Sequence, residues 1–222
     1  MNEAVKVYYD NLAEDYDENR FSNSYGKFIH RQELAFLKQN ITEDATCLNL
    51  GCGTGRFMEF CSHGYDISEN MVKEAKTKYP NKNFKKGCAS STPYDNNTFD
   101  TIICLHVIMH LSKSETESLI QEAFRILKPG GKLIIDHPSF KRRRIFKYKA
   151  PNWHAANEYS IKMLKELTLT ATTHLKTKGV LFFPIHRFPS KTRNLLYSLD
   201  QLINKSPIKE YSSYLIHSIT KK

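Results

Sequence analysis

Twelve residues from Thr46 to Phe57, TCLNLGCGTGRF, limit what this chain can fold into more than any other stretch. The apolar run Cys47-Leu48-Asn49-Leu50 reads as a short buried strand. Gly51-x-Gly53-x-Gly55 reads as a loop, and Arg56-Phe57-Met58-Glu59-Phe60 as the opening of a helix. Three glycines in five residues clear most β-carbons from the loop, so its backbone can approach a ligand closely. Such a loop at the carboxyl end of a strand is where open α/β sheets bind nucleotide-like molecules. The dinucleotide fingerprint G-x-G-x-x-G/A needs a small residue at its sixth position, which here is the bulky Arg56. A phosphate-binding P-loop would need Gly-Lys-Ser/Thr, and the loop has none.

Three later segments extend the pattern: Gly64-Tyr65-Asp66-Ile67-Ser68, Gly87–Tyr94 followed by Asn97–Cys104, and Arg125-Ile126-Leu127-Lys128-Pro129-Gly130-Gly131-Lys132-Leu133. With the glycine loop they fall in the order found in the class I S-adenosylmethionine-dependent methyltransferases, which the chain resembles across Cys47–Asp136. Its small-molecule members acting in ubiquinone and menaquinone biosynthesis are the nearest likeness. That resemblance implies a Rossmann-like, doubly wound, mostly parallel seven-stranded α/β sheet with helices on both faces and an N-terminal helical lid. It also implies S-adenosyl-L-methionine as cofactor, held by Gly51, Cys52, Gly53, Gly55, Asp66, Ile67, Met71, Cys88, Ala89, Ser90 and Leu105. Asp66 closes the second strand, where a carboxylate can accept both ribose hydroxyls. The sequence departs from the family twice. Cys88 stands where an aspartate usually meets the adenine, and only Arg56–His63 remain for a crossover helix of about two turns.

The segment Tyr8–Asp17 resembles the family's "YDxLAxxYD" opening, which makes Tyr16 a lid residue over the cofactor and Arg20 a partner for the methionine carboxylate. Read from the residues alone, Tyr8, Leu12 and Tyr16 at i, i+4 and i+8 make the buried face of one amphipathic helix. Further helices are expected over Ser24–Gln39, over Ser68–Lys78 with Ser68 as N-cap, after a Ser114–Glu117 capping box, and over Ile161–Leu169. Ser213–Thr220 alternates as a terminal strand. The chain is read as a single domain over 1–222, divided into a lid (1–44), a cofactor-binding core (45–138) and an acceptor-side part (139–222).

Charge sets the last part off. Residues 1–138 carry 16 Lys+Arg against 19 Asp+Glu, and residues 139–222 carry 17 against 4, within a net charge of +10. An anionic substrate site, a membrane-surface patch and a solvated face all fit this distribution. The five cysteines lie apart in sequence without C-x-x-C and read as reduced thiols of a cytoplasmic protein. MNEAVKVYYD lacks the apolar segment of a signal peptide, and no run is of membrane-spanning length. Peripheral membrane contact stays open, and oligomeric state is not legible.

Candidates for chemistry follow the fourth strand. His106 and His110 would share a face at i, i+4 if Leu105–Leu111 turned helical, and either could serve as general base for an oxygen acceptor. The same spacing suits a metal pair, but no third ligand is identifiable, so no metal is expected. His154, His186 and Arg187 lie in the segments expected to shape the acceptor pocket, with Val180–Leu202 as an aromatic, basic insertion. No Asn/Asp-Pro-Pro-Tyr follows the fourth strand, which argues against methylation of nucleic-acid bases. The expected function is methyl transfer to an oxygen or nitrogen of a small molecule, anionic or lipid-linked. The alternatives are an RNA or protein methyltransferase using the basic part, and a non-catalytic nucleic-acid or membrane-surface binding module.

Overall fold

The computed structural model describes residues 3–168 and 171–222. Leu169, expected as the end of a helix, lies outside the described residues, as do the first two residues of the N-terminal stretch. Seven strands form one sheet: β1 (Cys47–Leu50), β2 (His63–Asp66), β3 (Asn83–Lys86), β4 (Phe99–Cys104), β5 (Leu127–Pro138), β6 (Thr172–Val180) and β7 (Tyr214–Lys221). Their spatial order is β3-β2-β1-β4-β5-β7-β6, with β7 antiparallel to both neighbours and every other pairing parallel. The chain reverses its winding direction between β1 and β4. The carboxyl ends of those two strands therefore diverge into a crevice where open sheets take their ligands.

Helices pack on both faces. They are α1 (Glu3–Leu12), α2 (Tyr16–Phe21), α3 (Ser24–Asn40), α4 (Glu69–Lys78), α5 (Lys113–Ile126), α6 (Phe140–Ile145), α7 (Ile161–Thr168) and α8 (Arg193–Ile203). Alternate residues of the central strands feed two separate cores. Leu48, Ile102, Leu133 and Ile135 enter one, while Cys47, Ile103 and Ile134 enter the other. A strand buried on both faces reads as a continuous apolar run, which is why Cys47–Leu50 and Ile102–Cys104 are legible without alternation.

Local structure corrects several expectations. No helix follows the glycine loop. Gly55, Met58, Phe60 and Cys61 each donate a backbone N–H to the carbonyl three residues back. Seven residues of α-helix would advance about 10 Å, less than the length of a four-residue strand, roughly 13 Å, that the crossover must retrace. Turns of 3₁₀ type, rising about 2 Å per residue, cover it. The same return brings Cys61 beside Cys47, with Cα atoms 4.4 Å apart and the two sulfurs in contact. Cys52, Cys88 and Cys104 are free.

The helix of Tyr8 and Leu12 ends at Leu12, and Tyr16 opens a second one, so the expected i, i+4, i+8 face is broken. The capping box is formed by Ser112 and Glu115, two residues before the expected pair. Ser68 caps α4 as expected, its side chain accepting from Met71 N. β6 was not legible. Its first six residues are polar or half-exposed, and charged side chains are what keeps an edge strand from pairing with another chain.

Candidate active site

The glycine loop is pinned by the strand it leads into. Gly51 N and Cys52 N both donate to Tyr65 O, at 2.7 and 3.1 Å, and Gly53 N donates to Asp66 Oδ2 at 2.7 Å. Asp66 Oδ1 accepts from Ser68 N at 2.9 Å. Burial raises the Asp66 carboxyl above the ordinary aspartate range, while these backbone donors pull it down. Gly51 adopts φ +79°, and a β-carbon there would lie 2.2 Å from Val107 Cγ2. At Gly53, with φ +52°, a β-carbon would meet only Met71 Sδ, at 4.0 Å. The loop thus leaves open space beside a buried carboxylate whose remaining lone pairs are free to accept hydroxyls, as a nucleoside requires.

A narrow cavity of about 90 Å³ lies over this loop. It is lined by the expected residues Tyr16, Gly51, Gly53, Asp66, Ile67, Met71, Ala89, Leu105, His106 and His110. Other expected residues point elsewhere. The Cys52 sulfur packs toward Gly64, Gly55 backs onto the Tyr79 ring, and Cys88 Sγ and Ser90 Oγ meet each other at 3.0 Å. Arg20 is not on the inner wall: it lines a wider, outer cavity of about 940 Å³, and its Nη2 donates to Tyr8 Oη at 3.1 Å. The lid is held down by two carboxylates. Asp10 accepts from Ser68 Oγ and Asn70 N, and Asp17 accepts from Thr54 Oγ1 on the loop.

His154, His186 and Arg187 all line the outer cavity, together with Arg142, Arg143 and the rings of Phe182, Phe183 and Tyr214. No carboxylate is among the described residues that line it. Four side chains border both cavities: Tyr9, Tyr16, His106 and His110. They form the neck between the two.

His106 and His110 do not share a helical face. His106 has φ +61°, and only Ile108–His110 form a 3₁₀ turn. Ala155 N donates to His110 Nδ1 at 3.1 Å, so the ring proton sits on Nε2 and points at Tyr9 Oη, 2.9 Å away. Burial, with His154 close by, lowers the His110 pKa to about 3, which keeps the ring neutral. His106 is the reverse case. Its Nε2 lies 2.6 Å from Glu33 Oε1, its Nδ1 is 3.5 Å from Asp136 Oδ2, and its backbone N–H donates to Asp136 Oδ1. Burial alone would lower its pKa, but Asp136 and Glu33 raise it above the usual histidine value. Bracketed this way, both ring nitrogens of His106 face a carboxylate. His154, kept neutral by burial, has an Nδ1 with no partner among the described residues.

Glu33 and Asp136 were missed in the sequence, as was Tyr9. Glu33 falls on the face of α3 that buries Phe36 and Leu37, and a lone acid on an apolar face was the available signal. Asp136 lies near the carboxyl end of β5, the sheet edge where ligands bind. With His106, these two acids bring three potential ligand atoms within 4.8 Å, the third ligand the sequence did not reveal. Arg56 Nη2 lies 3.0 Å from Glu33 Oε2, so a guanidinium already faces one of the two carboxylates.

A glycine loop at the switch point of a doubly wound sheet, with a buried acid at the tip of the next strand, defines a nucleoside-binding α/β protein. A family model described as a methyltransferase domain matches residues 48–135. An uncharacterized protein of Methanocaldococcus jannaschii is 33% identical over 171 residues, 72% of this chain and 79% of that protein. The demethylmenaquinone methyltransferase of Renibacterium salmoninarum is 27% identical over 61% of this chain, which spans only 60% of that enzyme. Among solved structures, a Thermotoga maritima methyltransferase titled a possible histamine N-methyltransferase superposes with a TM-score of 0.73. It covers 98% of this chain and 99% of its own at 24% identity, a likeness of fold. Residues 48–135 thus form a methyltransferase domain of the S-adenosylmethionine-dependent class, and the cofactor of the chain is S-adenosyl-L-methionine.

Proposed function

We propose that this protein is a cytoplasmic enzyme that methylates a small, anionic molecule seated in the outer cavity. The observation that carries the reading is the shared neck: Tyr9, Tyr16, His106 and His110 border the loop cavity on one side and the outer cavity on the other. When bound, S-adenosylmethionine supplies an electrophilic methyl group on a sulfonium. Gly51, Gly53 and Asp66 would hold its nucleoside, with Met71 and Ala89 beside the base. The chain's contribution is alignment and exclusion of water, which for a displacement of this kind supplies most of the acceleration. Arg20, Arg142 and Arg187, with no carboxylate among the described residues that line the cavity, favour an acceptor bearing a carboxylate or phosphate.

The neck also bears on the methylated atom. Asp136 and Glu33 favour the protonated form of His106, the His110 acceptor nitrogen is occupied by Ala155 N, and burial holds the Tyr9 phenol protonated. With no general base at the neck, an amine that arrives unprotonated is favoured over an alcohol oxygen. An alcohol acceptor would have to pass its proton to a histidine of the outer cavity, His154 or His186.

A screen of radiolabelled methyl incorporation tests this. Small anionic amines should be labelled, cationic ones of equal size should not, and Arg187→Ala should raise KM for the best acceptor at least tenfold. Preference for cationic acceptors would overturn the assignment. Independently, Asp66→Ala should weaken calorimetric affinity for S-adenosylhomocysteine by about 1.5–3 kcal/mol, the range for hydrogen bonds to a charged group. Unchanged affinity would remove Asp66 from the nucleoside site.

A further inference from the structure

The acceptor-side part carries a surface that the methyl-transfer site leaves unused. Leu195, Leu199 and Leu202 sit at i, i+4 and i+7 of α8 and are 81%, 47% and 68% exposed, although the helix is strongly amphipathic. Its other face is fully engaged. Asp200 accepts from Gln32 Nε2 of α3 at 2.6 Å, and the Tyr197 ring lies under Arg31. The turn Pro207–Tyr211 packs against both α8 and α6 and exposes Ile208. At the end of α6, Ile145 and Phe146 are 60% and 69% exposed and also line the mouth of the outer cavity.

The exposed charged side chains that flank these apolar groups in sequence are all basic. Arg144, Lys147, Lys149, Lys191 and Lys205 are exposed, and none has an ion pair among the described residues. The four acids of residues 139–222 are all occupied. Glu158 pairs with Arg143, Glu210 with Lys141 and Glu166 with Lys162, and Asp200 is buried against α3. We propose that the face made by α8, Pro207–Tyr211 and the end of α6 docks on an anionic lipid bilayer. An interfacial helix needs both halves of this pattern, aliphatic side chains to enter the acyl boundary and lysines or arginines to meet the headgroups. A nucleic acid would use the cations but has no place for three aliphatic leucines. A second copy of the chain would bring two strongly basic faces together. Docked so, the mouth of the outer cavity at Ile145 and Phe146 faces the headgroup layer.

Co-sedimentation of the full chain with vesicles tests the proposal. The protein should pellet with vesicles of phosphatidylcholine containing phosphatidylglycerol, not with phosphatidylcholine alone, and the bound fraction should fall as salt rises. The double variants Leu195→Glu/Leu202→Glu and Lys147→Glu/Lys149→Glu should each reduce partitioning at least tenfold, with S-adenosylhomocysteine affinity unchanged as the check on folding. Equal binding to both vesicle types, no binding, or full binding by the leucine variant would overturn the proposal. So would light scattering that shows a dimer dispersed by the leucine variant, or RNA binding that depends on the lysines and displaces the vesicles.

Discussion

Replacing Glu33 with alanine should lower the free energy of unfolding at pH 7 by about 3–5 kcal/mol, the cost of removing one partner from a buried ion cluster. The Glu33 side chain is 3% exposed, and its two oxygens meet His106 Nε2 and Arg56 Nη2. Without it, an imidazolium and a guanidinium would stay in a low-dielectric site with Asp136 alone to offset them. Urea unfolding measures the effect, and Glu33→Gln, which keeps an acceptor for His106, should lose less. The pH dependence follows from the raised His106 pKa. A proton held more tightly in the folded state stabilises fully below the unfolded histidine value, about 6.5, and that contribution fades as pH rises through the folded pKa. The deficit of the alanine variant should therefore be larger at pH 6 than at pH 9. A loss under about 1 kcal/mol would mean that the cluster is not coupled to folding, since even surface pairs reach that value. Because Glu33 belongs to α3, Arg56 to the glycine loop and Asp136 to β5, the cluster joins three segments under the neck. It holds His106 at a positive φ that a non-glycine residue adopts only when its surroundings impose it.

Acidification should destabilise the wild-type chain before its carboxylates titrate. His137 and His217, fully buried on the adjacent strands β5 and β7, meet Nε2 to Nε2 at 2.9 Å. The proton positions follow from the flanking bonds: His137 Nδ1–H donates to Pro138 O, and Thr177 Oγ1–H donates to His217 Nδ1. His217 Nε2–H must then donate to His137 Nε2, so both rings are neutral. A further proton would set N–H against N–H in the core. Burial lowers the His137 pKa to about 4 and drives His217 well below its ordinary value. For a depressed pKa the unfolded chain binds the proton first. This group's contribution is complete above pH 6.5 and is lost as pH falls toward 4, roughly 3 kcal/mol for His137 alone. Denaturant midpoints at pH 7.5, 5.5 and 4.5 should decline accordingly, and His217→Gln should flatten the slope. His110, also depressed, adds to the same trend. Equal stability at pH 7.5 and 4.5 would show that the pair accepts a proton at no cost.

Short-range rules account for what was legible in the residues themselves. Buried runs such as Ile102–Cys104, the turn chemistry of Gly51–Gly55 and the cap at Ser68 act over a few positions, so they survive any tertiary context. Together they specified the glycine loop, the strands beside it and the alternation of strand with helix, while the seven-stranded sheet, the role of Asp66 and the cofactor were what the resemblance to the methyltransferases implied. The neck and the outer cavity lay beyond that range. Tyr9, Glu33, His106 and Asp136 come from four elements, and nothing in the local pattern of one announces the others. The strand order β1-β4-β5 sets the ends of those strands side by side, and α3 then lowers Glu33 onto them. The surroundings that favour a proton on His106 were likewise set there. Ionisation in a protein interior depends on which charges lie within a few ångströms, and the fold alone sets those distances.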